Sequence, residues 1–251
     1  MFVHQVETVE QALALAAAGR TAGQISREIG VPQRTVSNWL KGAIPRRSPP
    51  RYPALSYEEL IGCRRAAYAY VLGLYLGDGH IARMPRTYSL RITLDSAYPG
   101  IIDAAAAAID KLLPDCHAGK YPHATATMVT VVSYSRHWPR LIPQYGSGYK
   151  HLRRIELFDW QQKITDAEAR EFIRGLIHSD GCRYVARQRR ARRYYDYARY
   201  GFSNRSEGIL ALFCRHLDRL QVPWTRPTSD TIQIARRDGV AKLDEFVGPK
   251  R

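Results

Sequence analysis

Two aspartates, Asp78 and Asp180, each close an apolar run with an Asp-Gly pair, and they stand 102 positions apart, from 78 to 180. The runs read VLGLYLGDG over 71–79 and IRGLIHSDG over 173–181. On a helix Gly73 and Gly77 share one face as i and i+4, and Gly175 and Ser179 repeat the pattern. A face with almost no side chains lets two helices approach more closely than the usual axis separation of about 8–10 Å. Such a crossing would set the two carboxylates side by side. At about 6 Å they repel by roughly 3 kcal/mol at an effective dielectric near 20. That cost is most simply met by divalent cations lying between the acids and a substrate. Gly79 and Gly181 are expected to end the helices in a left-handed conformation. The bland alternative is an Asp-Gly helix stop used only for packing.

The elements that must position these acids repeat as well. Tyr88–Ile102 reads as a strand entering an apolar helix, and Tyr200–Leu210 does the same after the second run. Thr127–Ser135 and Thr231–Gly239 are expected as strands of alternating character. Each half therefore predicts helix, strand, strand, helix, strand, strand, helix. Gly148-Tyr149-Lys150 is echoed by Gly248-Pro249-Lys250.

The duplicated phrase resembles the LAGLIDADG motif of homing endonucleases in their single-chain, two-motif form, over roughly residues 61–251. The resemblance implies an α+β fold: a pseudo-two-fold αββαββα repeat with saddle-shaped antiparallel sheets, in halves of about 61–160 and 161–251. It implies a monomer acting on double-stranded DNA, with Asp78 and Asp180 each holding Mg²⁺ (or Mn²⁺) and staggered cuts leaving short 3′ overhangs. Members of the family usually carry a basic residue near each acid, which makes Lys150 and Lys250 the candidate pair. A solvated surface charge is the alternative for both lysines.

Charge points the same way. The chain has 38 basic and 23 acidic side chains, a formal net charge of +15, which calls for a polyanionic partner. The excess concentrates after the second motif, in CRYVARQRRARRYYDYARYGFSN. Arg183, Arg187, Arg189, Arg190, Arg192, Arg193 and Arg199 alternate there with tyrosines, including Tyr195 and Tyr197. A hairpin is expected, with the Arg-rich centre as its turn and Asp196 paired to an arginine. A two-stranded ribbon fits a DNA major groove, where such side chains read base edges or hold phosphate. The matching stretch after the first motif is shorter, with Arg83, Arg86 and Arg91.

Residues 1–42 read as a separate helix-turn-helix unit. A helix ends at Gly19, Gly30 makes the turn, and Val31 plugs its corner. Ile25, Ile29, Val36, Trp39 and Leu40 face inward, which leaves Gln33, Arg34, Ser37 and Asn38 for DNA. Plain helical packing is the alternative. Residues 43–60, rich in proline and arginine, form the expected linker.

An apolar share of 45 % can build a core for one medium domain and a small one. No run approaches the roughly 18 apolar residues of a membrane span. Cys63, Cys116, Cys182 and Cys214 lack metal-knuckle spacing and are expected to be reduced and at least partly buried. The expected setting is cytoplasmic, or nucleoid-associated in a bacterium. The competing reading is a DNA-binding transcriptional regulator that keeps the scaffold without cutting.

Overall fold

A computed structural model describes residues 6–42, 61–190 and 193–248. The chain divides into two compact units, Met1–Leu55 and Ser56–Arg251. The expected linker, 43–60, lies outside the described residues.

The first unit is three helices: α1 (Val6–Ala17), α2 (Ala22–Ile29) and α3 (Gln33–Leu40). Thr21 starts α2 with a capping box, its Oγ1 accepting from Gln24 N at 3.4 Å while Gln24 Oε1 accepts from Thr21 N at 2.9 Å. Gly30 ends the helix at φ +67°, a left-handed position suited to glycine. Val9, Ala12, Ile25, Val31, Val36 and Trp39 form the core. Leu40, expected inside, is exposed, and Ile29 is only half-buried. One residue past Trp39, Leu40 has rotated about 100° off the inward face.

In the second unit each half follows the expected order. Helix α4 (Arg65–Asp78) leads into β1 (Gly79–Arg83) and β2 (Tyr88–Asp95), then α5 (Pro99–Leu112), β3 (Gly119–Pro122), β4 (Met128–Tyr134) and the short α6 (Trp138–Leu141). A 3₁₀ turn at Lys150–Leu152 and α7 (Asp159–Ala167) lead to the second half. That half is α8 (Ala169–Asp180), β5 (Gly181–Arg190), β6 (Arg193–Ser203), α9 (Glu207–Arg219), β7 (Thr225–Thr228), β8 (Thr231–Ile234) and α10 (Arg237–Asp244). The sheets are both antiparallel, with matching orders β1-β2-β4-β3 and β5-β6-β8-β7. The strand expected over Thr231–Gly239 stops at Ile234, and helix α10 takes up its last residues.

Parity decides which face of each sheet is buried. Leu90, Ile92 and Val131 of the first sheet, and Tyr200, Phe202, Ile232 and Ile234 of the second, point into the core beneath the helices. The other face of each sheet carries polar and aromatic side chains and stays open.

Helix α4 is buried all along Ala67–Leu76, as its lack of a polar face requires. It packs along α8, and glycines set the distance. A Cβ on Gly73 would stand 2.6 Å from the Phe172 carbonyl oxygen and 2.9 Å from Leu176 N. A Cβ on Gly175 would stand 3.0 Å from Gly73 Cα, and one on Gly77 would be 2.9 Å from Asp180 Oδ2. Where Gly73 meets Gly175 the neighbours are backbone, so no side chain can swing aside. The ends of these helices correct the sequence reading: Gly79 and Gly181 are extended, with φ −87° and −100°. Each helix passes straight into a strand, and the fold-back explains the glycine. A Cβ at Gly181 would lie 2.7 Å from Ile177 Cα, and one at Gly79 would lie 2.8 Å from the Tyr75 carbonyl oxygen.

A buried polar link fastens the same helices. His178 Nε2 lies 3.0 Å from the Val247 carbonyl and must donate there, so Nδ1 accepts from the Tyr70 hydroxyl at 2.8 Å. Burial also drives the Tyr70 pKa upward. Of the cysteines, Cys116 and Cys214 are partly buried, whereas Cys63 and Cys182 are exposed, contrary to expectation. Gly175→Ala should lower unfolding stability by about 1–3 kcal/mol through forced separation of the helices. Chemical denaturation measures this, and an unchanged midpoint would contradict the close crossing.

Candidate functional site

The crossing delivers both acids to one end of the helix pair. Asp180 follows Ser179 and lies against Gly77, the residue before Asp78. A third charge is fixed at the same point. The Lys150 ammonium donates to the carbonyls of Tyr75 (2.5 Å), Leu76 (3.1 Å) and Gly77 (2.6 Å), among the last acceptors of helix α4. The end of a helix carries partial negative charge on its last carbonyls, so a cation belongs there, although the Tyr75 carbonyl also accepts from Gly79 N. Burial pulls the Lys150 pKa down to about 8, opposed by the attraction of Asp180 and Asp78 and helped by Arg153. Lys150 thus stands within electrostatic reach of both acids and feels Asp180 the more strongly. Its counterpart, Lys250, lies outside the described residues, although Gly148 and Gly248 share a positive φ of +78° and +70°.

The two acids open in different directions. Asp180 lines a cleft of about 520 Å³ with Lys150, Asn204, Arg205 and Asp230. Asp78 lines one of about 430 Å³ with His80, Arg91, Tyr121, His123 and Thr130, all on the open face of the first sheet or its edge. Asn204 escaped the sequence reading. Its Nδ2 donates to Asp180 Oδ2 at 2.6 Å, while its Oδ1 accepts from Ser206 N at 2.7 Å. The available signal was its place at the strand-to-helix corner of the repeated phrase, where an Asx side chain holds the backbone two residues on.

Among the described residues no three His, Cys, Asp or Glu side chains gather as a metal cage. A single carboxylate can nonetheless be the protein share that Mg²⁺ takes when water and substrate phosphate complete its shell. The all-oxygen donors suit a hard cation, so each acid fits this role.

The long hairpin sorts the predicted arginines by face. Register Gly181↔Phe202 to Arg190↔Arg193 puts Arg183, Arg187 and Arg189 on the helix side, and Tyr184, Gln188, Tyr195, Tyr197 and Arg199 on the open side. Strand pairing runs to Arg190 and Arg193, so the Arg-rich centre is mostly strand rather than turn; Arg192 lies outside the described residues. Arg183 forms a bidentate pair with Asp244 of α10 at 2.8 and 3.0 Å, and Tyr200 donates to the same carboxylate at 2.6 Å. Arg183 holds that carboxyl below its ordinary range. Arg187 pairs with Asp196 at 3.0 Å, as expected for that acid. On the open side Arg199 reaches Gln233 at 3.3 Å, and Gln233 donates to the Tyr184 hydroxyl at 2.6 Å.

In the first half Arg91 faces the open side beside Asp78, Arg83 faces the helix side, and Arg86 sits in the β1–β2 turn. In the first unit Gln33, Arg34 and Asn38 are placed on α3 with Ser37; Gln33 and Arg34 are exposed, and Ser37 and Asn38 lie on the same short helix.

No family model matches the chain, and no curated protein does. Among solved structures it is similar to the homing endonuclease I-DmoI in complex with DNA and Mn (20 % identity, TM-score 0.49, 74 % of this chain and 98 % of that one). It is also similar to the LAGLIDADG meganuclease I-AabMI bound to uncleaved DNA (12 %, 0.45, 71 % and 82 %). A third is full-length WhiA from Thermotoga maritima (14 %, 0.47, 77 % and 60 %). The fold assignment rests on this chain's own twin αββαββα order, its matching sheets and its two motif helices. The chain has the LAGLIDADG fold. Its single-chain, two-motif form follows from both halves lying in one unit.

The Arg183 pair ties the hairpin base to α10, so Arg183→Ala should cost about 1 kcal/mol of stability. Arg189→Ala should stay within about 0.5 kcal/mol. Thermal unfolding compares the two, and equal losses would contradict this division of roles.

Proposed function

We propose that the chain is a sequence-specific double-stranded DNA endonuclease whose phosphodiester hydrolysis depends on Mg²⁺ or Mn²⁺. The observation that carries this reading is the arrival of two acid-bearing helix ends at one place, where Asp180 lies against Gly77 and the Lys150 ammonium feels both Asp180 and Asp78. Asp78 opens onto the strands of its own half, and Asp180 opens into a separate cleft between the 148–151 segment and the corner after β6; two separate clefts suit one acid for each strand of a duplex.

In this reading Asp78 and Asp180 hold divalent cation at the phosphate. Bound cation supplies Lewis-acid stabilisation and a more acidic water for in-line attack at phosphorus. Asn204 keeps the Asp180 carboxylate from rotating. Lys150 holds positive charge where negative charge grows on the phosphate oxygens, and its three carbonyl partners preorganise it. The open faces, through Arg91, Tyr195, Tyr197 and Arg199, lie over base edges or phosphate. Arg187, Arg189, Arg190, Arg192, Arg193, Arg83 and Arg86 supply charge around them. The first unit adds contacts from Gln33, Arg34, Ser37 and Asn38, and Lys250 serves as the second basic residue.

A non-cleaving regulator on the same scaffold is the second reading. It is favoured by the separate three-helix unit with its exposed polar helix face. The persistence of both acids at the tips weighs against it.

Duplexes selected from a random library and incubated with Mg²⁺ separate the two. Asp78→Asn or Asp180→Asn should abolish cutting while binding survives; undiminished cutting by the double variant would refute the catalytic assignment. Wild-type protein that binds selected duplexes and leaves them intact would establish the regulator. Removing residues 1–42 should weaken binding and flatten its salt dependence, by roughly 0.9 in log–log slope for each phosphate no longer neutralised. An unchanged slope would show that this unit touches no phosphate.

A further inference from the structure

The cleft beside Asp180 carries a surface that the proposed hydrolysis does not use. Tyr149 is 72 % exposed, and its ring stacks on His151 with centroids 5.4 Å apart and planes inclined by 21°. Between them in the chain, Lys150 turns inward to the carbonyls near the end of helix α4. The segment is therefore pinned at its centre, and the flanking rings lie together on the outer side. Gly148, at φ +78°, makes the bend that brings the chain into this path. Both rings line the cleft that holds Asp180 and Asn204.

A large aromatic ring left in water, held rigid and without a core partner, is a contact surface awaiting an occupant. Because the pair is already ordered, little conformational freedom is lost when something covers it. The cleft also holds Arg205 together with Asp180 and Asp230, so its charge is mixed and the flat aromatic surface is what selects the occupant. A nucleobase of a bound strand fits it: its π-face stacks on the rings while a phosphate of the same strand meets Arg205. The two sheets flank the helix tips, and their strand side chains serve the DNA on either side. The step lying over the acids meets helix ends and this segment instead. Stacking there needs a base partly withdrawn from its own stack, which is easiest at pyrimidine–purine steps.

We propose that the Tyr149–His151 pair is a stacking platform for a nucleobase of the bound duplex at the step over the two acids. It gives the protein a preference there for readily unstacked pyrimidine–purine steps. This rests on the reading that the cleft receives DNA and does not require that the DNA be cut.

The test uses the full chain and library-selected duplexes with a single mismatch placed at successive positions across the site, where the base is already loosened from its stack. Wild type and Tyr149→Phe should bind a duplex mismatched at the central step more tightly than the matched one. Tyr149→Ala should show no such gain and bind the matched duplex roughly tenfold more weakly, within the range seen when base-stacking aromatics are removed. Selection repeated with Tyr149→Ala should lose sequence preference at the centre and keep it on the flanks. No gain from a central mismatch in wild type, or equal gains in wild type and Tyr149→Ala, would overturn the platform. The matched complexes given Mg²⁺ separate the two failures. A central gain with an uncut duplex upholds the platform against the nuclease reading, and cutting without the gain does the reverse.

Discussion

Everything in the larger unit depends on two helix backbones touching where Gly73 crosses Gly175. A Cβ on either residue would collide with main-chain atoms, so the separation is set by the absence of side chains rather than by their packing. Close approach along α4 and α8 forces their C-terminal ends together, and the ends carry Asp78 and Asp180. The juxtaposition of like charges is thus a consequence of the crossing. Lys150 meets part of that electrostatic cost, and the negative end of α4 draws it in.

The halves repeat one topology but are not chemically equal. Asp180 is fixed by Asn204, whereas Asp78 shares its cleft with His80, Arg91 and His123. His178 sits on the second motif helix and links Tyr70 of the first to the chain after α10. The second hairpin is long and carries seven arginines against three in the first, with its base clamped to α10 through Arg183, Tyr200 and Asp244. A scaffold with two-fold topology and one-sided side chains suits a partner whose two halves also differ.

Much of this was legible in the sequence because it was written twice. The small-residue spacing in VLGLYLGDG and IRGLIHSDG named the crossing faces, and the repeated strand phrases gave the element order. The helix ends were misread: an Asp-Gly pair looks like a left-handed stop, while here both glycines are extended and serve a tight fold-back. The faces of the hairpin could not be assigned either, since alternation separates Arg183 from Tyr184 but only the pairing of Gly181 with Phe202 says which set is buried. The corner position of Asn204 was legible, but its bond to Asp180 was not, because that bond is made across a corner by tertiary packing. Leu40 was placed inside by composition and outside by helical rotation.

The most direct test of the paired acids is to count Mn²⁺ ions bound to the protein–duplex complex by electron paramagnetic resonance. Wild type should hold ions that disappear one at a time in Asp78→Asn and Asp180→Asn, and together in the double variant, with duplex still bound. An ion count that does not respond to either carboxylate would contradict the account.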